Sequence, residues 1–509
     1  MQKLFYDTRK LDASCRQKYA LSEELMMENA AAALEAEILE QNKDAPFTEV
    51  LILCGSGNNG ADGYALARRL AQKIKTKVFA CGQPESELCI IQAQRAKNCG
   101  ICVLSLNDFL AEELNSYKIV VDCIFGSGFH GNFTGESGEL IENALNALNS
   151  SDCKKIACDV PSGLRADGTL AQTAFCADVT VTMGADKICL YSDYAKDYAG
   201  IVKVADLGVS RSLFESSYDA ANEEFSVFLL ERSDMRLPFR TKNLVNKGSF
   251  GSAFVALGQK TGAALIAANA CFKFGAGLVT LINPDIEFLK EKESIFPMEL
   301  LSSTEFSSKV SALCVGMGLG RNKEAADFYA EYLIKNPDVK CVLDADFLYS
   351  PALLKILQKR AEGCVLTPHP KEFSVLLELC GLGTYSVEEC IKTRIELVEQ
   401  FCQKFPGAVL LVKGANPVIG TCSTENTIEE EQKRTNLFIN SCGSPSLAKG
   451  GSGDCLAGMI CSLLAQGYAP LDAAISADLA HSLAGQKVKN NYSLTPAELI
   501  KNLGDIQEV

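Results

Sequence analysis

Tryptophan is absent from this chain of 509 residues, and histidine occurs only three times, as His130, His369 and His481. Because these histidines are far apart in sequence, a histidine-rich metal site is not expected. Positive charge is also scarce, since 49 Lys and Arg residues stand against 63 Asp and Glu residues, a net charge of −14. A nucleic-acid partner would need a basic face, so none is expected.

Long apolar runs are missing as well. The longest candidate for a membrane span, 253–282, is interrupted by Lys260 and Lys273. The first residues lack the apolar core of a signal peptide. We therefore expect a cytoplasmic protein with no membrane partner. The 22 cysteines lie mostly inside apolar runs, where Cys behaves as a small buried hydrophobe. Only Cys99 and Cys102 form a C-x-x-C pair, so a zinc or redox site is not expected.

Apolar runs alternate with helical patterns in two series, which predicts βαβ units and parallel sheets covered by helices on both faces. The first series of strands is expected at 49–54, 77–80, 101–104, 119–125, 155–159 and 179–183. The second is expected at 253–257, 278–282, 312–315, 341–344, 364–367, 409–412 and 437–439. The regularity is lost between them, at 213–246, and we place a domain boundary near residue 225. The predicted fold class is α/β with two domains.

Three loops after strands of the first series combine glycine with short oxygen-bearing side chains, at 55–63, 122–131 and 159–164. Each alone could be a tight turn, because Asn, Asp and Gly dominate turns. Parallel sheets, however, bind ligands beyond the carboxyl ends of their strands. Together the loops offer oxygens for a cation and N–H groups for phosphate. Asp122 ends an apolar strand, where an unpaired carboxylate is costly, so a ligand is expected there.

A glycine-rich stretch at 450–458 precedes an apolar helical run in the second half. Its flexible backbone and the helix N-terminus suit the phosphates of a nucleotide. Asp454 is either an N-cap or a base that takes a proton from a hydroxyl attacking the terminal phosphoryl group. Lys413 is either a surface lysine or a phosphate-binding point charge. His369, between two prolines, is either structural or a ligand contact.

The motifs of both halves resemble known families. Thr-Pro-His-Pro at 367–370, Lys-Gly-Ala at 413–415 and Gly-Gly-Ser-Gly-Asp at 450–454 resemble the carbohydrate dehydratase-like branch of the ribokinase-like fold. Asn-Asn-Gly-Ala-Asp-Gly at 58–63 and Asp-Val-Pro-Ser-Gly at 159–163 resemble the NAD(P)H-hydrate epimerase domain. In this order, they resemble the bifunctional NAD(P)H-hydrate repair enzymes over nearly the whole chain.

The resemblance implies a Rossmann-like three-layer epimerase domain at 1–225 and a ribokinase-like three-layer dehydratase domain at 226–509. The epimerase would interconvert the R and S forms of hydrated NADH and NADPH (NADHX and NADPHX). The dehydratase would restore the S form at the expense of ADP or ATP, with magnesium. A homo-oligomer is also expected.

Residue roles follow from the same resemblance. In the epimerase, Asp159 would be the acid or base, and a potassium ion would be held by Asn59, Asp122 and Ser162. The hydrate would be bound by Asn58, Asn59, Gly60, Ala61, Asp62, Gly126, Ser127, Gly128, Phe129, His130, Gly131, Asn132 and Asp159.

In the dehydratase, Asp454 would be the base acting at the hydroxyl of the hydrate. The substrate would contact Ala253, Gly318, His369, Pro370, Lys371, Glu372, Phe373, Ser374, Val375 and Asp454. The nucleotide would contact Lys413, Gly414, Ala415, Asn416, Pro417, Ser444, Pro445, Ser446, Leu447, Ala448, Lys449, Gly450, Gly451, Ser452 and Gly453.

Four residues depart from the pattern that the resemblance implies. His130 stands in place of a frequent Arg, Asn416-Pro417 replaces the commoner Gly-Thr, and Tyr349 replaces an Asn. Two rival interpretations are a ribokinase-like kinase for a small alcohol and a non-catalytic nucleotide-binding or scaffold protein. Asp159 and Asp454 are the residues that favour catalysis.

Overall fold

A computed structural model describes residues 1–42, 49–109, 114, 117–217, 225–307, 309–426 and 431–507. The chain divides into two compact units, Leu4–Glu223 and Met1–Lys3 together with Glu224–Val509. The stretch 218–224, just before the predicted boundary, lies outside the described residues. No helix within the described ranges combines the length and apolar character that a membrane crossing requires.

The first strand along the chain, β1 (Gln2–Leu4), joins the sheet of the second unit. The sheet of the first unit is parallel throughout its described residues. Its strands are β2 (Glu49–Cys54), β3 (Lys75–Ala80), β4 (Cys102–Ser105), β5 (Ile119–Cys123), β6 (Lys154–Cys158), β7 (Val179–Met183) and β8 (Ile201–Ala205). Its helices are α1 (Arg9–Tyr19), α2 (Glu23–Asn42), α3 (Asn58–Leu70), α4 (Glu87–Asn98), α5 (Leu106–Phe109), α6 (Gly135–Asn149) and α7 (Arg211–Glu215).

The spatial order β4-β3-β2-β5-β6-β7-β8 reverses direction between β2 and β5. In open parallel sheets this switch point leaves a crevice at the carboxyl ends of the strands, where ligands bind. The loops that meet there are packed backbone to backbone. A Cβ on Gly55 would lie 2.0 Å from the carbonyl oxygen of Ile124, and one on Gly60 would lie 1.9 Å from that of Gly55. Only glycine fits at these two positions.

The second unit contains a larger sheet, in the order β1-β9-β18-β17-β16-β15-β14-β13-β10-β11-β12. Its later strands are β9 (Phe225–Leu229), β10 (Ser252–Ala256), β11 (Leu278–Ile282), β12 (Leu301–Ser303), β13 (Ala312–Val315), β14 (Lys340–Leu343), β15 (Cys364–Leu366), β16 (Val409–Val412), β17 (Val418–Asn426) and β18 (Glu431–Ile439). The strands from β10 to β16 are parallel, whereas β17 runs antiparallel to both β16 and β18.

Helices cover this second sheet and one of them begins at the glycine-rich stretch. They are α8 (Thr261–Lys273), α9 (Ile286–Lys292), α10 (Lys323–Lys335), α11 (Pro351–Lys359), α12 (Pro370–Leu379), α13 (Val387–Lys392), α14 (Arg394–Lys404), α15 (Ser452–Ala465), α16 (Pro470–Gln486) and α17 (Pro496–Asn502). Helix α15 is buried from Cys455 onward. Gly458 lets it approach α8, since a Cβ there would lie 2.0 Å from the carbonyl oxygen of Ala267.

The predicted α/β class is confirmed: the first unit has a doubly wound parallel sheet of the Rossmann-like kind, and the second has a larger, mainly parallel sheet covered by helices. Five predicted strands have the expected bounds: β2, β7, β11, β13 and β16. The sequence patterns missed β1, β8, β9, β12 and β17. The apolar pattern of the sequence at 387–405 predicts one helix. This prediction is wrong, because the chain breaks at Thr393 (φ −109°, ψ 35°) between α13 and α14.

Candidate functional sites

A cavity of about 760 Å³ lies in the first unit and includes the loops at the switch point. Several residues that the sequence predicted for the substrate line it: Asn58, Asn59, Asp62, Gly126, Ser127, Gly128, Phe129, His130 and Asp159. Gly60 and Ala61 are buried in α3 and do not line it. Helix α1 contributes Arg9, Asp12 and Arg16, and its N-cap residue Thr8 also lines the cavity; the sequence predicted none of these.

Asp159 has a left-handed backbone, with a φ of 68°, which is strained for any residue with a side chain. Its carboxylate accepts hydrogen bonds from two backbone N–H groups, Ser127 at 3.0 Å and Met183 at 3.2 Å. The Nζ atom of Lys187 lies 2.8 Å from Asp159 Oδ1. Burial acts to raise the pKa of Asp159, but the charge and hydrogen bond of Lys187 and the two N–H groups outweigh it and lower this pKa.

Two further carboxyl groups line the same cavity, and their pKa values are raised rather than lowered. Burial raises the pKa of Asp12 to about 6, with the charge of Lys187 opposing and that of Asp159 adding to the shift. Burial also raises the pKa of Asp62 well above its ordinary value, and the charges of Asp159 and Asp12 add to this. The cavity therefore pairs one firmly ionised carboxylate with two carboxyl groups that retain protons more easily.

Of the three residues predicted for potassium, Asp122 lies near the end of β5, Ser162 follows β6, and Asn59 is in the first turn of α3. Asp122 is fully buried, and its oxygens accept hydrogen bonds from the Ser162 hydroxyl at 2.7 Å, the Ser162 N–H at 2.7 Å and the Ile124 N–H at 3.1 Å. Burial raises the pKa of Asp122 to about 6 against these bonds. The amide nitrogen and oxygen of Asn59 are buried with no hydrogen-bond partner among the described residues. An orphaned amide oxygen, a hydroxyl and a carboxylate form a donor set that suits a hard cation.

The loop at 126–132 rests on an aromatic stack and an arginine. The rings of Phe125, Phe129 and Phe133 lie with centroids 4.8 to 6.1 Å apart. Arg165 donates to the Gly131 carbonyl at 2.9 Å and to the Asn132 side chain. Gly131 and Asn132 do not line the cavity. Arg165 therefore fixes the far end of the loop, while His130 is exposed at the cavity wall.

In the second unit Asp454 is not an N-cap, so that interpretation is wrong. Helix α15 begins at Ser452 with Gly451 as its N-cap in a left-handed conformation (φ 94°), and Asp454 lies in the first helical turn. A Cβ on Gly451 would also lie 2.6 Å from Pro496, which explains the glycine. Burial raises the pKa of Asp454 to about 6, and the charge of Asp344 adds to the shift while that of Lys413 opposes it.

Lys413 is the central cation of this second site, and only 21% of its side chain is exposed. Its Nζ lies 3.0 Å from Asp344 Oδ1 and 3.9 Å from Glu372 Oε2. A Cβ on Gly453 would lie 3.2 Å from the same Nζ, so the lysine reaches the glycine-rich stretch. Burial acts to lower the pKa of Lys413, but the charges of Asp344, Glu372 and Asp454 raise it. It is a fixed cation rather than a free surface lysine.

His369 is the N-cap of α12, where its Nδ1 accepts hydrogen bonds from the N–H groups of Lys371 at 3.2 Å and Glu372 at 3.4 Å. Its Nε2 therefore carries the proton and faces Glu372 Oε1 at 3.3 Å. Burial and the charge of Lys413 lower the pKa of His369, which keeps the ring neutral. With 47% of its side chain exposed, the ring can act both as a structural cap and as a ligand contact.

The remaining residues predicted for the nucleotide are held by separate hydrogen bonds. Ser446 Oγ donates to the Gly485 carbonyl at 2.6 Å and lies 3.1 Å from Ser444 Oγ, and Lys449 donates to the Tyr492 carbonyl at 2.6 Å. The carbonyl of Asn416 accepts from the buried Arg394 at 3.0 Å. Ser452 Oγ contacts His481 Nε2 at 3.1 Å. Gly450 has open space where a side chain would be.

The residues predicted for the substrate of the second unit differ in how deeply they are buried. Gly318 (φ 62°) packs against the Lys260 carbonyl, where a Cβ would lie 2.3 Å away. Phe373 is buried in α12, whereas Ser374 and Val375 are half-buried. Ala253 lies in β10 and is fully buried in the apolar core. Their contacts with substrate stay predictions.

Sequence reasoning assigned no role to Lys187, Asp12 or Asp344. Asp344 follows β14 directly and could have been found from its position at the carboxyl edge. Lys187 and Asp12 have no glycine-rich neighbourhood that would signal a site. Tyr349 stacks under Arg321, whose guanidinium carbon lies 4.2 Å from the ring centroid.

These units, each with a carboxylate and a lysine near the carboxyl edge of a sheet, define a protein of two α/β units with a candidate catalytic site in each. Residues 23–189 match the family described as YjeF-related protein N-terminus, and residues 253–505 match NAD(P)H-hydrate dehydratase. The chain is 40% identical over 505 residues to the bifunctional NAD(P)H-hydrate repair enzyme Nnr of Helicobacter pylori, covering 99% of each chain. It belongs to the family of bifunctional NAD(P)H-hydrate repair enzymes.

Other relatives are more distant. The enzyme of the same name from Moorella thermoacetica is 32% identical, covering 94% of this chain and 90% of that one. The solved structure of an ADP/ATP-dependent NAD(P)H-hydrate dehydratase from Bacillus subtilis, co-crystallized with ATP and Mg²⁺, is 23% identical. It covers 53% of this chain and 92% of that one with a TM-score of 0.41.

Proposed function

We propose that this chain repairs hydrated NADH and NADPH in two steps. The first unit interconverts the R and S hydrates, and the second removes water from the S hydrate at the expense of ADP or ATP. The observation that carries the proposal is the pair of carboxylates, Asp159 and Asp454, each buried near a lysine in the unit whose family match corresponds to that step.

The epimerase step needs a bond to be broken and remade at one carbon. Water adds to the reduced nicotinamide ring at the carbon beside the ring nitrogen, so the hydroxyl there can leave with help from the nitrogen lone pair. The planar cation that remains accepts water on either face. Ionised Asp159 stabilises this cation and takes a proton from the incoming water. Asp12, with its pKa raised to about 6, is suited to protonate the departing hydroxyl.

A potassium ion fits beside this step. Asn59, Asp122 and Ser162 would hold it, because the amide oxygen of Asn59 has no partner among the described residues and Asp122 is a buried carboxylate. When bound, the ion supplies a fixed positive charge near the loop that contains Ser127. Ser162 links the two features, since its Oγ accepts a hydrogen bond from the Phe125 N–H at 2.9 Å.

The dehydratase step makes the hydroxyl a leaving group. Asp454 takes the hydroxyl proton while that oxygen attacks the terminal phosphoryl group of the nucleotide, which releases AMP from ADP or ADP from ATP. Lys413 and the N-terminus of α15 hold the phosphates. Phosphate then leaves with help from the ring nitrogen, a proton leaves the neighbouring carbon, and the ring double bond is restored. Asp344 and Asp346 carry carboxylate oxygens that would hold a magnesium ion, and the ion would supply positive charge beside the phosphates.

The test is to give the purified chain a mixture of hydrated NADH epimers with ADP, ATP or no nucleotide, with and without magnesium. We expect NADH to form only with a nucleotide, as an increase in the absorbance of the reduced nicotinamide. Phosphorylation of a small alcohol with no repair of the hydrate would instead support the kinase interpretation. No reaction at all would support a binding protein.

We also propose a cytoplasmic location and a homo-oligomeric state, which fractionation and sedimentation would test.

A further inference from the structure

Lys187 is a buried cation that neither the motifs nor the family resemblance gives a role. It follows β7, and only 1% of the residue is exposed. Its ammonium group has three protons to donate. Four oxygen atoms surround it: Asp159 Oδ1 at 2.8 Å, Thr182 Oγ1 at 2.9 Å, the Met183 carbonyl at 3.1 Å and the Ala185 carbonyl at 3.3 Å.

This arrangement separates Lys187 from the substrate. Asp159 lines the cavity, whereas Lys187 does not. Because its three protons are directed at protein oxygens, no donor is left for a ligand. Lys187 can therefore influence the reaction only through Asp159.

The orientation of the Asp159 carboxylate depends on the groups that contact it. Its backbone is held in the left-handed region, and its two oxygens are divided between separate partners. Oδ2 accepts from the Ser127 N–H, while Oδ1 faces both Lys187 and the Met183 N–H. We propose that Lys187 is a positioning residue of the epimerase, which holds Asp159 ionised and aimed into the cavity. This inference rests on the proposed epimerase function.

The charged groups around Asp159 show why the positive charge of Lys187 is needed to keep Asp159 ionised. Asp12 of α1 and Asp62 of α3 interact with Asp159 as like charges, and the thiols of Cys158 and Cys189 also interact with it. Lys187 is the cation in direct contact among the described residues. Without it, burial and the two neighbouring aspartates would all favour the protonated form of Asp159.

The experiment compares Lys187→Met with the native full-length chain by measuring epimerase kcat and KM from pH 5 to 9. We expect kcat at pH 7 to fall about 10- to 100-fold while KM changes little, since a group acting on the transition state alone is weakened. We also expect the acid limb of the pH profile to move up by about one pH unit or more. Lys187→Arg, which retains the charge, should keep the acid limb near its native position.

Lys203→Met is the matched control, because Lys203 pairs with Glu37 at 2.7 Å and does not line the cavity. It should leave the epimerase profile unchanged. Far-ultraviolet circular dichroism and the thermal unfolding transition of each sample report whether the first unit is folded. If Lys187→Met is not folded, Lys187→Gln decides, since it removes the positive charge but keeps a polar side chain among the same oxygen atoms. Its acid limb should move in the same direction.

The outcomes distinguish a failure of the proposed epimerase function from a failure of the positioning role of Lys187. A native chain that epimerises no hydrate at any pH would refute the proposed function before any variant is compared. A native chain that is active, with a folded Lys187→Met whose acid limb is unmoved, would overturn the positioning role even if kcat falls. An unmoved acid limb in Lys187→Gln would overturn it in the same way.

Discussion

Asp159 and Asp454 both lie near the carboxyl edge of a mainly parallel sheet and close to a lysine. The two lysines differ in how many carboxylates lie beside them. Lys187 contacts Asp159 at 2.8 Å, with neutral oxygens as its other partners. Lys413 is bound to Asp344 at 3.0 Å and lies 3.9 Å from Glu372. The pKa of Asp159 is accordingly lowered, whereas burial and then Asp344 raise that of Asp454 to about 6.

The difference matches the proposed chemistry of the two steps. A carboxylate that stabilises a positively charged ring must stay ionised, which a dedicated lysine ensures. A base that takes a proton from an alcohol works best with a pKa near the operating pH. The same two residue types therefore serve different reactions, because the number of carboxylates that share each lysine differs.

Replacing Asp454 should separate the two activities most strongly. Asp454→Asn keeps the size of the side chain but removes the base, and such losses typically cost about a hundredfold to ten-thousandfold in rate. We expect dehydration to fall by that factor while epimerisation of the R and S hydrates is retained, as followed by chromatography of the epimers. Near-native dehydration would mean that Asp454 has only a structural role in the first turn of α15.

Removing the predicted potassium ligand should affect only the first unit. Asp122→Ala deletes the buried carboxylate, and we expect epimerase activity to fall about tenfold or more together with its response to potassium. Dehydratase activity, measured on the pure S hydrate, is the control and should stay native. A variant whose potassium response is unchanged would place the cation elsewhere.

The pH dependence should distinguish the two carboxylates directly. Asp454 acts as a base in its ionised form, so dehydration should decline as the pH falls through about 6, reaching about a tenth of its maximum near pH 5. Asp159 has a lowered pKa, so its ionised form persists to lower pH. If dehydration instead lost its rate at a much lower pH than epimerisation, the contrast between Asp454 and Asp159 would be wrong. Initial rates measured separately for the two steps provide the check.

The smallest expected effect concerns His369, which has two roles to separate. His369→Ala removes the N-cap of α12 and should cost about 1 kcal/mol of unfolding free energy, measured by denaturant titration. His369→Asn retains a capping oxygen but not the Nε2–H, so we expect near-native stability with KM for the S hydrate raised severalfold. A native KM in His369→Asn would make the histidine a cap alone.

Strands buried on both faces could be predicted from sequence, because a continuous apolar run leaves little ambiguity. The bounds of β2 and β16 illustrate this. Edge strands such as β8, which is largely half-buried or exposed, carry a weaker pattern. The break between α13 and α14 was missed because Arg394 is charged yet buried, where it binds the Asn416 carbonyl.

Site residues were predictable where glycine marked a close backbone approach. Gly451 and Asp454 are only three residues apart in sequence, so one motif contains both. Lys187 lies far along the chain from Asp159 and meets it only because β6 and β7 are neighbours in the sheet. No local pattern encodes that contact, and the choice between N-cap and base for Asp454 likewise depended on where α15 begins.

The most direct test of the two-step proposal is a progress curve with mixed epimers of hydrated NADH and the nucleotide. The native chain should convert both epimers to NADH in one phase, recorded by the absorbance of the reduced nicotinamide. Asp159→Ala should convert the S portion quickly and then slow to the spontaneous rate of epimerisation. A single phase of full amplitude from Asp159→Ala would contradict the proposal, because the second unit would then accept both epimers or Asp159 would not be needed.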